Sequence, residues 1–242
     1  MNGCLLVHGL TSSPGVMNPV RDVLTKAGYL VEAPLLAGHG GTVDDVANST
    51  WQDWYKSLRG AYEKLRRDTD KIYYVGLSMG ALLGLKLAAD EGWGVRALVL
   101  ISAPMKLPFP AHAKYLVVNY TPLRWVVDSV PKDFDMSVAM PEGREQYRAL
   151  ALDRMPLAGV RQIVALQNSV MDTLGLVTNP MLVVHGEHDP VAPPWNAGII
   201  KSGVASDVVE IINYSRSYHV VTLDWDGPAV SQQIVEFFKR FS

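Results

Sequence analysis

Along the chain, short unbroken apolar runs alternate with stretches in which apolar residues recur every three or four positions. The runs at 3–7, 29–34, 71–76, 95–102, 180–185 and 207–213 are rich in Val, Ile, Leu or Tyr and are bounded by turn residues. Such continuous runs read as strands buried on both faces, the signature of a parallel sheet. Between them lie helical patterns with clear punctuation. Asn18-Pro19 opens one, as N-cap and first-turn proline, and Gly28 closes it. Ser49-Thr50 opens the next, with Gln52 and Asp53 placed for a capping box. Its apolar positions Trp51, Trp54, Leu58, Ala61, Tyr62 and Leu65 share one face. A third helix is predicted over 79–90 with Gly92 as its stop, and a last one over 228–241. Alternating strands and helices predict an α/β fold, a mostly parallel sheet of about six strands with helices on both faces.

One segment interrupts the alternation. From 103 to 171 no strand is predicted, prolines are scattered, and two helices are expected, over 143–155 and 157–170. A connection this long far exceeds the roughly two to six residues usual between strand and helix. The expected division is therefore a core formed by 1–103 and 172–242. Residues 104–171 would supply a small helical cap together with the ordinary crossover helix.

Composition narrows the function class. The chain has 242 residues, 22 Lys and Arg against 24 Asp and Glu, a net charge of −2, 48% apolar and 19% charged residues. That excludes a disordered chain and leaves no basic footprint for nucleic acid. A single cysteine, Cys4, excludes an internal disulfide framework and a cysteine-rich metal site. The first twenty residues lack any charge, but they also lack the positive start and long apolar stretch of an export signal. The uncharged stretch 173–186 is too short to span a bilayer. A cytoplasmic protein without stable membrane insertion is expected. Oligomeric state is not readable.

The strongest motif is Gly76-Leu77-Ser78-Met79-Gly80, fed by a strand and left by a helix. A sharp strand-to-helix turn lifts a serine hydroxyl above the sheet. It needs small residues two positions before and two after, and it sets the hydroxyl at a helix N-terminus. His8-Gly9-Leu10 follows the first strand. In this arrangement the N–H groups of Leu10 and Met79 would form an oxyanion hole, with Gly9 letting the backbone approach substrate. An acid and then a histidine must follow the serine in the chain. Asp189 lies just past one strand and His219 just past another, on the edge where ligands bind. Asp189 would orient His219, which would take the proton of Ser78. Glu187 is the rival acid. Asp224 and Asp226 are expected to cap the final helix. His185 and His188 have a ligand-like spacing with no third ligand implied, so no metal is expected. His39, Cys4, Trp51 and Trp54 read as structural.

With these motifs in this order, the chain resembles the α/β-hydrolase superfamily, and within it the bacterial carboxylesterase and monoacylglycerol lipase group. The resemblance rests on residues 6–12, on Pro34 with Gly38-His39-Gly40, and on the Ser78 motif. It extends to Gly186, Asp189, Val191 and Pro193, and to Ser217, His219, Val220 and Thr222-Leu223-Asp224. It implies an α/β-hydrolase fold beginning at what would be its third strand. It further implies a small-molecule ester substrate with an apolar acyl chain, and no cofactor. Two positions depart from the family pattern, Ala81 and Tyr218, where glycine is common. Tyr218 would narrow the alcohol side. In the insertion, Phe109, Tyr115, Leu116, Val117, Val118, Tyr120, Trp125, Val126 and Val127 would either line an acyl pocket or pack the cap on the core. Two alternatives stay open. One is a different hydrolysis on the same residues, of a thioester, a lactone or a carbon–carbon bond. The other is a low-turnover ligand-binding protein of the same fold.

Overall fold

The computed structural model of the chain describes residues 1–109, 111, 113, 116, 117, 121 and 127–242. Its strands are β1 (Asn2–Val7), β2 (Leu30–Glu32), β3 (Lys71–Leu77), β4 (Ala97–Ile101), β5 (Ser129–Pro131), β6 (Arg154–Pro156), β7 (Met181–Gly186) and β8 (Val209–Tyr214). Six of them form one sheet in the order β2-β1-β3-β4-β7-β8, with every pair parallel. This is the parallel sheet of six strands that was expected, with the strands where the apolar runs predicted them.

The described helices are α1 (Asn18–Lys26), α2 (Val43–Ala47), α3 (Trp51–Asp68), α4 (Met79–Glu91), α5 (Pro141–Leu150), α6 (Leu157–Thr173), α7 (Trp195–Gly203) and α8 (Gly227–Lys239). Alternate side chains of each strand feed two separate cores. Leu5, Val7, Tyr74, Leu98 and Leu100 pack with α3, α4 and α6 on one face. Cys4, Leu6, Tyr73, Val75, Val99 and Ile101 pack with α1 and α8 on the other. Each fully buried Leu, Val or Ile contributes about 1.5–3 kcal/mol, against the entropy of ordering the chain.

The helix ends follow local chemistry. Thr50 and Asp53 form the capping box of α3, each side chain accepting the other's backbone N–H. Asn18 does not act as a cap. A 3₁₀ turn over Pro14–Met17 runs directly into α1, so Asn18 is already helical and Met17 stands at the N-cap position.

The long connection departs from expectation in two respects. It contains the short strands β5 and β6, which pair antiparallel as a two-stranded ribbon. The helix expected over 143–155 is α5, and it ends at Leu150 because Ala151 turns extended and leads into β6. The second, α6, returns to the sheet, and its Ile163, Leu166 and Val170 enter the α3–α4 core. That makes α6 the crossover between β4 and β7.

Candidate active site

Ser78 sits between the end of β3 and the start of α4 with φ 56° and ψ −115°. Only Thr11 and Ser102 share a positive φ among the described non-glycine residues. Such a backbone costs on the order of 1–3 kcal/mol and persists only when its surroundings enforce it. Two glycines provide the enforcing contact. A Cβ on Gly76 would lie 2.3 Å from the Gly80 carbonyl oxygen, and one on Gly80 would lie 2.2 Å from that of Val7. The turn is thus pressed flat against β1. The buried Tyr74 hydroxyl donates to the Gly80 carbonyl over 2.6 Å and closes it.

The sheet's carboxyl edge brings Ser78, His219 and Asp189 into one row. Ser78 Oγ lies 2.9 Å from His219 Nε2. His219 Nδ1 lies 2.8 Å from Asp189 Oδ2. A carboxylate only accepts, so the ring proton sits on Nδ1 and Nε2 is free to accept from the serine. Asp189 is buried, and its other oxygen accepts from the N–H groups of Val191 and Ala192 over 2.8 and 2.9 Å. Glu187, the rival acid, is exposed.

Three residues that hold the histidine loop carry no sequence signal for that role. Ser102, at the end of β4, donates to the His219 carbonyl over 2.7 Å. Buried Asp224 accepts from four backbone N–H groups, those of Ala139, Met140, Tyr218 and Trp225, at 2.8–2.9 Å. Asp226 accepts from the Arg216 backbone and guanidinium and from the Ser217 hydroxyl. Asp224 and Asp226 therefore brace this loop rather than cap the final helix. Asp226 does stand at the N-cap of α8, but its side chain points back along the loop.

His8 fixes the opposite wall. Its Nε2 accepts from the Leu36 N–H at 3.2 Å, so Nδ1 carries the proton and donates to the Gly9 carbonyl at 2.9 Å. Burial, reinforced by nearby His39, pushes its pKa down to about 3, so His8 is a neutral strut. A Cβ on Gly9 would lie 3.2 Å from Ser78 Cβ, which places this backbone directly against the serine. Met79 is the first residue of α4. Its N–H is one of those the helix ladder leaves without an acceptor. His39 is buried, held by Ala37 and packed edge-on to His8 and Trp54, as a structural residue.

Ser78 and His219 open on a cavity of about 270 Å³ whose walls include Gly9, Leu10, Leu107, Met136, Met155, Val160, Ile163 and Val191. Phe109 does not line it. The ring is 83% exposed and borders a separate groove beside Met171 and Trp195, because the chain runs outward after Met105. Tyr218 is also absent from the wall, and its backbone N–H is tied to Asp224. Tyr115 and Trp125 lie outside the described residues, as do Val118, Tyr120 and Val126. His185 donates through Nδ1 to the Ala192 carbonyl beneath Asp189, while His188 is exposed. No cluster of three potential metal ligands occurs among the described residues.

Residues 2–226 match the model of the family described as serine aminopeptidase, S33. The thermostable monoacylglycerol lipase of Bacillus sp. (strain H-257) is 34% identical over 98% of this chain and 90% of its own length. The carboxylesterase of Bacillus subtilis (strain 168) is 27% identical over 98% of this chain and 92% of its own. Among solved structures, one of the metagenome-derived lipolytic enzymes LipS and LipT superposes with a TM-score of 0.88. It is 27% identical, covering 99% of this chain and 94% of that one. The chain therefore belongs to the serine aminopeptidase S33 family of α/β-hydrolases and, within it, to the carboxylic ester hydrolases of the monoacylglycerol lipase and carboxylesterase group.

Proposed function

We propose that this chain hydrolyses short- to medium-chain carboxylic esters, monoacylglycerols among them, through a covalent acyl-enzyme on Ser78. The observation that carries this reading is the unbroken row from Ser78 through His219 to Asp189 at the mouth of an apolar cavity. Ser78 Oγ attacks the ester carbonyl while His219 Nε2 takes its proton. The negative oxygen of the tetrahedral intermediate rests on the N–H groups of Leu10 and Met79. Collapse expels the alcohol, which receives the proton from His219. Water then attacks the acyl-enzyme, giving its proton to His219, and release of the carboxylic acid regenerates Ser78. Asp189 holds the ring and stabilises its charged form. No step calls for a cofactor.

The activities named for the two bacillar relatives support the substrate class. A cavity of about 270 Å³ falls at the small end of ligand pockets, which favours modest acyl chains. Residues 104–171 act in this reading as cap and crossover. No described helix is long and apolar enough to cross a membrane, and a cytoplasmic location completes the proposal.

The test is a p-nitrophenyl ester chain-length series run beside monoacylglycerols, thioesters, lactones and an aminoacyl anilide. A maximum at short to medium acyl esters is expected, abolished by Ser78→Ala. Turnover of the anilide on a par with the esters would replace the reading by amide hydrolysis. Turnover of none of them by the wild-type protein would overturn it.

A further inference from the structure

Among the described residues lining the Ser78 cavity, one carries an ammonium group, Lys132, just after β5. Its Nζ donates to the Tyr147 hydroxyl at 3.1 Å and lies over the rings of Tyr147 and Phe134, 4.8 and 5.6 Å from their centroids. Among the described residues no carboxylate lies within ion-pair distance of it. Asp133 also borders the cavity, but it is exposed and one of its oxygens is engaged by the Met136 N–H. Tyr147 is itself buried, and burial pushes its phenol pKa up, so it stays protonated. Having accepted from Lys132, its hydroxyl proton meets no acceptor among the described hydrogen bonds.

The exposed Asp153 carboxylate acts on this ammonium only from beyond ion-pair distance. A cation in an apolar wall with no paired carboxylate is costly, and an anionic ligand offsets that cost. Nothing in the acyl-transfer steps uses Lys132. Its backbone N–H is anchored by the Asp153 carbonyl at 2.8 Å, so the ribbon of β5 and β6 holds it in place. Two donors, an ammonium and a phenol hydroxyl, thus stand side by side in the cavity that receives the substrate.

We propose that Lys132 and Tyr147 form an anion-recognition point in the Ser78 cavity, selecting esters that carry a carboxylate remote from the scissile bond. The inference rests on the proposed ester hydrolysis and adds a substrate class to it. Lys132 and Tyr147 act here in binding and take no part in bond making. A hydrogen bond to a charged partner is worth about 1.5–3 kcal/mol, which is a preference of about 10- to 100-fold.

The test compares monomethyl esters of dicarboxylic acids, from succinate to suberate, with methyl esters of monocarboxylic acids of matched length. A second arm compares carboxymethyl with ethyl esters of one acid, so that acyl-side and alcohol-side recognition are told apart. The wild-type protein should favour the carboxylate-bearing ester in kcat/KM by about tenfold or more in one arm. Lys132→Met should bring that ratio to about one. Lys132→Arg should retain most of it, and Tyr147→Phe should reduce it by a smaller factor. A wild-type ratio at or below one throughout both arms would overturn the recognition point while leaving ester hydrolysis standing. A ratio unchanged in both Lys132→Met and Tyr147→Phe would overturn it too. Turnover of neither ester type by the wild-type protein would instead defeat the underlying hydrolase reading. Should Lys132→Met not fold, the wild-type ratio and Tyr147→Phe still decide the matter.

Discussion

The hydroxyl of Ser102, at the end of β4, donates to the main-chain oxygen of His219 over 2.7 Å, linking the middle of the sheet to the residue beside Ser78. Ser102 is fully buried and has a φ of 51°, a left-handed backbone uncommon for serine. Ser102→Ala leaves a buried carbonyl without its donor and frees the loop to drift. Small misplacements at a reacting group cost rate more than binding. The variant is expected to lose about tenfold in kcat with KM within about twofold of wild type, measured on a p-nitrophenyl ester. An equal change in KM would mean that Ser102 shapes the pocket rather than the histidine.

Asp224 satisfies four backbone N–H groups from inside the fold. It joins the chain before α5 to the His219 loop. Asp224→Ala strands all four donors and is expected to destabilise the protein by about 3 kcal/mol, a fall of roughly 6–12 °C in the thermal midpoint. Calorimetry checks it. Asp226→Ala should cost less, because its Arg216 partner is largely exposed.

Glycines separate cleanly by what surrounds them. Alanine at Gly76 or Gly80 would drive Cβ to 2.3 or 2.2 Å from a carbonyl oxygen, and either variant is expected to yield no folded protein or an inactive one. Gly60 lies inside α3, and a Cβ added there would meet nothing within 4 Å. Gly60→Ala is expected to raise stability by about 0.5–1 kcal/mol, read as a rise of a few degrees in the thermal midpoint.

Lys132 also sets a pH dependence. Burial pushes its pKa down to about 7, and the Asp153 carboxylate opposes the shift. The other groups around it are Tyr147, kept protonated by burial, exposed Asp133, and His39, which burial holds below the usual imidazole range. A base with a lowered pKa is charged below that value and loses its charge as pH rises through it. The preference for carboxylate esters should therefore be full at about pH 6 and fade towards about pH 9. The neutral-ester rate, measured in parallel, divides out any pH dependence of the chemical step itself. A ratio constant over this range would exclude Lys132 as the source of the preference.

Legibility in the sequence followed how local the physics was. The four inner strands were readable because a strand buried on both faces must be apolar throughout, as β4 is from Ala97 to Ile101. The half-buried edge strands β2 and β8 were readable from their β-branched residues and flanking turns. The positions of Ser78, Asp189 and His219 were readable because each follows a strand end. The bracing roles of Asp224 and Asp226 were not. Acidic residues ahead of a helix look like caps, and only the folded loop shows their side chains turned to distant N–H groups. The β5–β6 ribbon was hidden by its length of three residues per strand and by its prolines, Pro131 and Pro156. Apolar character in the insertion does not separate pocket lining from surface, and Phe109 faces outward. Lys132, a lone cation with no motif around it in the sequence, reaches the cavity because a long side chain can bury its stem wherever tertiary packing offers a wall.

The proposed chemistry turns on Ser78 being the nucleophile that His219 activates. The most direct measurement is labelling of the native protein with a fluorophosphonate, followed by peptide mass spectrometry alongside residual esterase activity. One adduct is expected, on Ser78, with activity falling in proportion to labelling, and labelling slowed by orders of magnitude in His219→Ala. Full inhibition with the adduct on another residue, or undiminished ester hydrolysis with Ser78 fully labelled, would contradict that role.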